Sequence, residues 1–174
     1  MLERLERDRQ LIEAMDAYGD YLLHVVRAIV KDSSKAEDIV QEVFIQYYLH
    51  TDEFENRSSV KTYLYRIAIN QCRNLFKSWH YRKLEFSRQA GAWIVSSVNL
   101  EEQAAVKEQQ EEIKRLLDRL PLKYKEVIWL HYYAELSVAE VGEVLKCSAN
   151  TVKTRLVRGR KLMKGYLKEG TSDD

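Results

Sequence analysis

The chain has 174 residues, a formal net charge of +1 and 45 % hydrophobic residues, enough apolar material for one domain or two small ones, each with its own core. One proline and six glycines are too few for a sheet protein built on tight turns, and favour helices. No apolar run approaches the ~18 residues of a membrane span, and the charged stretch from Met1 to Gln10 lacks a signal peptide's apolar segment, so a cytoplasmic protein is expected. Cys72 and Cys147 form no CxxC pair, and His24, His50, His80 and His131 have no metal-ligand spacing. The expectation is therefore no structural disulfide, no metal and no cofactor.

In chain order, Tyr18, Tyr21, Leu22, Val25, Val26, Ile29 and Val30 recur at helical spacing. Asp32-Ser33-Ser34 interrupts them, and Ser34-Lys35-Ala36-Glu37 reads as a capping box opening a second helix. That helix buries Ala36, Val40, Val43, Phe44 and Tyr47. After a polar loop, Thr51 to Arg57, a third helix is predicted from Ser58 or Ser59 to about Trp79, with Val60, Leu64, Ile67, Ala68 and Leu75 inside. Three such helices close a small core.

From Leu84 to Gln110 periodicity weakens, and Ser87 to Gly91 with Ser96-Ser97 reads as a linker carrying the apolar Trp93, Ile94 and Val95. Helical character returns near Glu101, and Ile113, Leu116, Leu117 and Leu120 form a stripe. Pro121 breaks it or starts the next element, after which Val127, Ile128, Leu130 and Tyr133 give a further buried face. Ser137-Val138-Ala139-Glu140 is a second capping box, opening a short helix with Val138, Val141, Val144 and Leu145 inside. Lys146-Cys147-Ser148 is a turn, and Ser148 caps a basic helix from Ala149 to about Leu167. Short helix, tight turn and basic helix describe a helix-turn-helix, with Gly142 leaving room for a close crossing. The fold class expected is all-α: two small helical domains joined by a flexible linker, the C-terminal one a helix-turn-helix. The divisions are residues 1–84, a linker at 85–107, and residues 108–174.

Charge is segregated along this order. Every charged residue from Asn56 to Leu84 is basic, as is every one from Val144 to Lys168, whereas Asp32 to Glu55 holds seven acids against Lys35 alone. Two acid-free basic windows in a near-neutral chain suit two contacts with a polyanion.

Three faces carry that charge. On the last helix Val152, Leu156, Gly159 and Met163 fall on one side, and Asn150, Lys153, Thr154, Val157, Arg158 and Lys161 on the other. An amide, a hydroxyl, cations and a small apolar group form a set for reading base edges in a major groove, while the flanking Arg155, Arg160 and Lys164 suit phosphates. On the third helix Arg66, Asn70, Arg73 and Lys77 share a face bordered by Tyr63, Tyr65, Phe76 and Trp79. Cations that track a backbone beside rings that stack on bases suit single strands; Tyr65 and Phe76 fit a core role equally well. On the second helix Asp38, Gln41, Glu42, Ile45 and Leu49 share an outward face where acids surround two aliphatics, which suits a protein interface but also a tolerated exposure.

Together these segments resemble the sigma-70 family in its minimal extracytoplasmic-function (ECF) group. Ala36-Glu37-Asp38-Ile39-Val40-Gln41-Glu42-Val43-Phe44 is similar to the family segment that grips the polymerase clamp helices. Tyr63-Leu64-Tyr65-Arg66-Ile67-Ala68-Ile69-Asn70 resembles the segment that melts and captures the minus-ten promoter element. Leu120 to Val127, Leu136 to Val141 and Ser148 to Leu156 resemble the domain that reads the minus-thirty-five element. Tyr63 stands where the family usually has Trp, and Asn150 where Gly is common. The resemblance implies a transcription initiation factor that is not an enzyme and has no small-molecule substrate. It implies core RNA polymerase, promoter DNA and an anti-sigma factor as partners. Asn70 would receive a flipped-out base; Asp38, Gln41 and Glu42 would face the polymerase; Lys153, Thr154, Val157 and Arg158 would meet the upstream element. The competing reading is a one-component helix-turn-helix regulator, which leaves the stripe from Arg66 to Lys77 without purpose. A nucleic-acid enzyme would need a carboxylate or metal set beside a basic surface, and both basic windows lack acids.

Overall fold

The computed structural model of the chain describes residues 2–50, 58–86 and 104–170. The apolar Trp93, Ile94 and Val95, the Ser-rich linker and the polar loop at 51–57 lie outside the described residues. The described residues are helical: α1 (Leu2–Val30), α2 (Ser33–Leu49), α3 (Val60–Phe86), α4 (Ala104–Arg119), α5 (Leu122–Ile128), a π-helical turn (Trp129–Tyr133), α6 (Val138–Leu145) and α7 (Ala149–Gly170).

α1, α2 and α3 pack on one another. Their shared core is Leu22, Val25, Val26 and Ile29 from α1, Ala36, Ile39, Val43, Phe44 and Tyr47 from α2, and Leu64 and Ala68 from α3. Several sequence expectations shift here. The cap of α2 is Asp32, whose carboxylate accepts a hydrogen bond from the Lys35 backbone N–H at 2.9 Å. The cap thus lies two residues earlier than a Ser34 box requires, which puts Ser34 inside the helix, and Glu37 pairs instead with Arg27 at 2.7 Å. Ile39 takes the inward position, leaving Val40 half-buried. α3 continues seven residues past Trp79 to Phe86, since neither Gly nor Pro stops it.

The second half is α4 to α7. Leu116, Leu117 and Leu120 are buried, but Ile113, the first residue of the expected stripe, is 52 % exposed; the buried part of α4 is its last turn. The capping box at Ser137 forms as expected: the Ser137 hydroxyl accepts from the Glu140 backbone N–H, and the Glu140 carboxylate accepts from that of Ser137 at 2.8 Å. Those bonds hold the Glu140 carboxyl below the usual carboxylate range. α6 ends at Lys146 in the left-handed region (φ 54°). Gly142 is needed for the turn itself, because a Cβ there would sit 2.7 Å from the Cys147 carbonyl oxygen. The turn then delivers Ser148, whose hydroxyl accepts from the Thr151 N–H at 3.1 Å and caps α7.

The two halves share one continuous core. α3 packs on α6, and α1 on α5 and the π-helical turn. Tyr65, Ile69 and Cys72 are therefore buried although they lie off the Leu64–Ala68 side of α3. Tyr21, which shares the helical spacing of Leu22 to Val30, is 55 % exposed on the α1 surface, where its ring meets Tyr133 at 6.1 Å.

Candidate nucleic-acid interface

α7 sits with Val152, Leu156 and Gly159 buried and Met163 half-buried, as its periodicity predicts. Gly159 allows close packing on α5: a Cβ there would lie 3.0 Å from Ile128 Cδ1 and 3.3 Å from Tyr124 Cβ. Pinned this way, α7 turns Asn150, Lys153, Thr154, Val157, Arg158 and Lys161 outward, all exposed, and Arg155 half-outward. Val157 is 57 % exposed, which costs hydration free energy unless a partner covers it. Thr154 donates its hydroxyl proton to the Asn150 carbonyl at 2.9 Å, so it presents an acceptor oxygen and a methyl group to an approaching base.

The structure adds residues that sequence reading missed. Lys123 and Tyr124, from the first turn of α5, join Asn150, Thr151, Thr154, Arg155 and Arg158 around a groove of about 330 Å³. The Lys123 ammonium lies 5.1 Å from the Tyr124 ring centroid. The signal available in sequence was a Lys and a Tyr right after Pro121, at the start of a helix, too common a pattern to mark a site.

On α3 the predicted face divides. Arg66 lies over the Tyr63 ring, 5.2 Å from its centroid, and both are half-buried, as is Asn70. Lys77 is exposed. Arg73 does not face outward with them. Its guanidinium donates two hydrogen bonds of 2.8 Å, from Nε and Nη2, to the two carboxylate oxygens of Glu126 on α5. Those bonds raise the arginine's pKa further, against the opposing effect of burial. Thr62, fully buried, donates to Glu140 at 3.3 Å.

The comparisons with known proteins follow these two faces. The Sigma-70 region 2 family model matches residues 14–84, which contain α3's face, and the Sigma-70, region 4 model matches residues 110–163, which contain the groove and the exposed side of α7. The chain belongs to the sigma-70 family. Its likeness to the ECF RNA polymerase sigma factor SigW of Bacillus subtilis (34 % identity over 165 residues, 90 % of this chain and 88 % of the relative) places this sigma factor in the ECF group. SigX of the same organism is 32 % identical over 171 residues, 91 % of this chain and 86 % of the relative. The fold matches that of the sigma factor RpoE from Bartonella quintana, solved in complex with the anti-sigma factor NepR. The TM-score is 0.72 at 24 % identity, covering 92 % of this chain and 96 % of that one.

This sigma factor is thus a transcription initiation factor that directs RNA polymerase to promoters. The one-component regulator reading is set aside, because its sensing domain would have to be residues that match region 2. On α2 of the sigma factor, Asp38, Gln41 and Glu42 are exposed, with Ile45 46 % and Leu49 63 % exposed beside them. Gln46 donates to Glu42 at 2.9 Å and Tyr48 to Asp8 of α1 at 2.9 Å, which ties the end of this face to α1. No helix among the described residues is long and apolar enough to cross a membrane.

Proposed function

We propose that residues 1–84 bind core polymerase and capture the minus-ten element, that 85–107 link, and that 108–174 read the minus-thirty-five element as duplex. The observation that carries this division is the outward face of α7, a polar and cationic surface with one exposed valine, held rigidly by a capped turn. Lys153, Thr154, Val157, Arg158, Lys161 and Asn150 meet base edges; Arg155, with Lys123 of the groove, meets phosphate. Tyr63, Arg66, Asn70, Arg73 and Lys77 take the melted strand, Tyr63 by stacking and Asn70 by offering both donor and acceptor to an extruded base. Asp38, Gln41, Glu42, Ile45 and Leu49 dock on the polymerase. The contribution is binding rather than bond-making, so the protein is no enzyme. It works in the cytoplasm with the polymerase, and, as RpoE binds NepR, this chain takes an anti-sigma factor of its own.

Run-off transcription from a promoter library with core polymerase tests the reading. Wild type yields transcripts from a subset of promoters that share two spaced elements. Asp38→Arg, which reverses a charge on the exposed face of α2 and touches no core residue, yields none and fails to co-purify with core enzyme. Transcripts at wild-type level from Asp38→Arg would remove α2 from the polymerase interface.

A further inference from the structure

The chain has two cysteines, and both are free thiols on elements that touch. Cys72 is on α3 and buried. Cys147 lies just past the end of α6, in the turn before α7, and is half-buried against the same core. α3 packs on α6, and two points set the register of that packing. At one end the Thr62 hydroxyl donates to Glu140, in the first turn of α6, at 3.3 Å. At the other, both thiols lie near enough to the Arg73 guanidinium to act on its charge. The two helices therefore run side by side in the same direction. The path from Glu140 to Cys147 reaches as far along the pair as that from Thr62 to about Ile69, within one helical turn of Cys72.

The surroundings of the two sulfurs are also particular. Arg73 is held by two hydrogen bonds to Glu126, which fixes a cation beside both thiols. Burial and then the Glu126 carboxylate push the Cys72 thiol up, and Arg73 pulls it the other way. Neither sulfur belongs to the outward face of α2, α3 or α7. The two cysteines are thus left over from the DNA and polymerase surfaces, yet stand together where α3 meets the helix-turn-helix.

We propose that Cys72 and Cys147 are a redox pair, which a hydroperoxide joins into a reversible disulfide between α3 and the turn of the helix-turn-helix. Cys147, the more accessible, reacts first. Its thiolate sulfur attacks the peroxide and the O–O bond breaks. The products are a sulfenic acid and water, or an alcohol if the hydroperoxide is organic. The Cys72 sulfur then attacks the sulfenic sulfur. The S–O bond breaks, and the departing hydroxide takes up the Cys72 proton to leave as water. Two thiols have then given two electrons to one peroxide. In the cytoplasm such a bond is transient and is reversed by thiols. It ties the turn that aims α7 to the helix assigned to the melted strand, so the two promoter faces lose their independence. That consequence rests on the division of promoter elements proposed above; the bond itself does not.

The test uses the full chain, reduced, freed of reductant, exposed to hydrogen peroxide in slight excess and quenched with an alkylating agent. Intact mass and peptide mapping should show a monomer lighter by two hydrogens, with the peptides of Cys72 and Cys147 joined, and dithiothreitol should undo the change. Cys72→Ser should stop at the Cys147 sulfenic acid, trapped by dimedone, and Cys147→Ser should leave Cys72 reduced. A helical wild-type chain that ends at a sulfenic or sulfinic Cys147, or that cross-links only between chains, overturns the pair without recourse to any variant. Run-off transcription is then read with the oxidised chain, cleared of peroxide before core polymerase is added. It should be lost, regained with dithiothreitol, and retained by Cys147→Ser through the same treatment. Full transcription from the cross-linked chain overturns the regulatory role. Failure of the unoxidised chain to direct transcription would overturn the division of promoter elements and the regulatory role with it, while mass and peptide mapping still decide the bond.

Discussion

The two basic helices of this sigma factor stand in opposite conditions. α7 is ready: its cations project into solvent from a helix capped by Ser148 and packed through Val152, Leu156 and Gly159. α3 is engaged: Arg66 is spent on Tyr63 and Arg73 on Glu126, and its length is covered by α1 and α2 on one side and α6 on another. The difference follows from what each has to read. A duplex offers base edges without rearrangement, so a rigid helix suits it. A melted strand exists only after unpairing, so a face for it is of no use until polymerase and promoter have come together.

Substitutions on the two helices test that contrast. The largest effect is expected at Asn70→Ala. Unstacking a base costs a few kcal/mol, so loss of its receptor leaves the closed complex and abolishes promoter opening, read as permanganate reactivity of unpaired thymines. A template already mismatched across the melted region restores much of the initiation. Full opening of a duplex promoter by Asn70→Ala would make Asn70 a structural residue only.

Next, α7 owes its readiness to the turn before it. Gly142→Ala drives a Cβ against the Cys147 carbonyl at 2.7 Å, and overpacking of this kind costs about 1–3 kcal/mol. Denaturant unfolding should show that loss, whereas an unchanged midpoint would mean the turn relaxes freely. Arg158→Ala should lose about 1–3 kcal/mol of discrimination at one or two upstream base pairs, measured with single-substitution duplexes. The smallest effect is at Arg160→Ala, which should weaken all sequences alike and lower the salt slope by about 1. Equal losses on every duplex for both arginines would contradict the division of α7 into base and phosphate sides.

Much of this was legible in the sequence wherever the signal is local. The Ser137 box, the Ser148 cap and the two sides of α7 depend on residues within four positions of each other, and they stand where periodicity puts them. Misreadings arose where two local signals compete, as with Asp32 and Ser34 for the cap of α2. They also arose where a helix face is decided by a distant neighbour. Tyr65, Ile69 and Cys72 are core because a second half covers them, and Cys72 is sealed well enough that burial pushes its thiol up to about 12. Ile113 and Tyr21 fit a buried stripe but lie beyond the packed length or width of their helices. The pairing of Arg73 with Glu126 was out of reach: in sequence, a helical face of four aligned polar residues gives no hint that one has a partner 53 residues away.

The contrast between an open α7 and an engaged α3 is tested most directly by the distance between the two halves with and without core RNA polymerase. Asp16 and Lys164 are exposed, one on each half, and Asp16→Cys with Lys164→Cys accepts a donor and an acceptor dye. High energy transfer is expected in the free chain and a marked fall when core polymerase is added, with Glu126→Gln already low before the addition. Energy transfer that is the same in the free chain, in the polymerase-bound chain and in Glu126→Gln would contradict it.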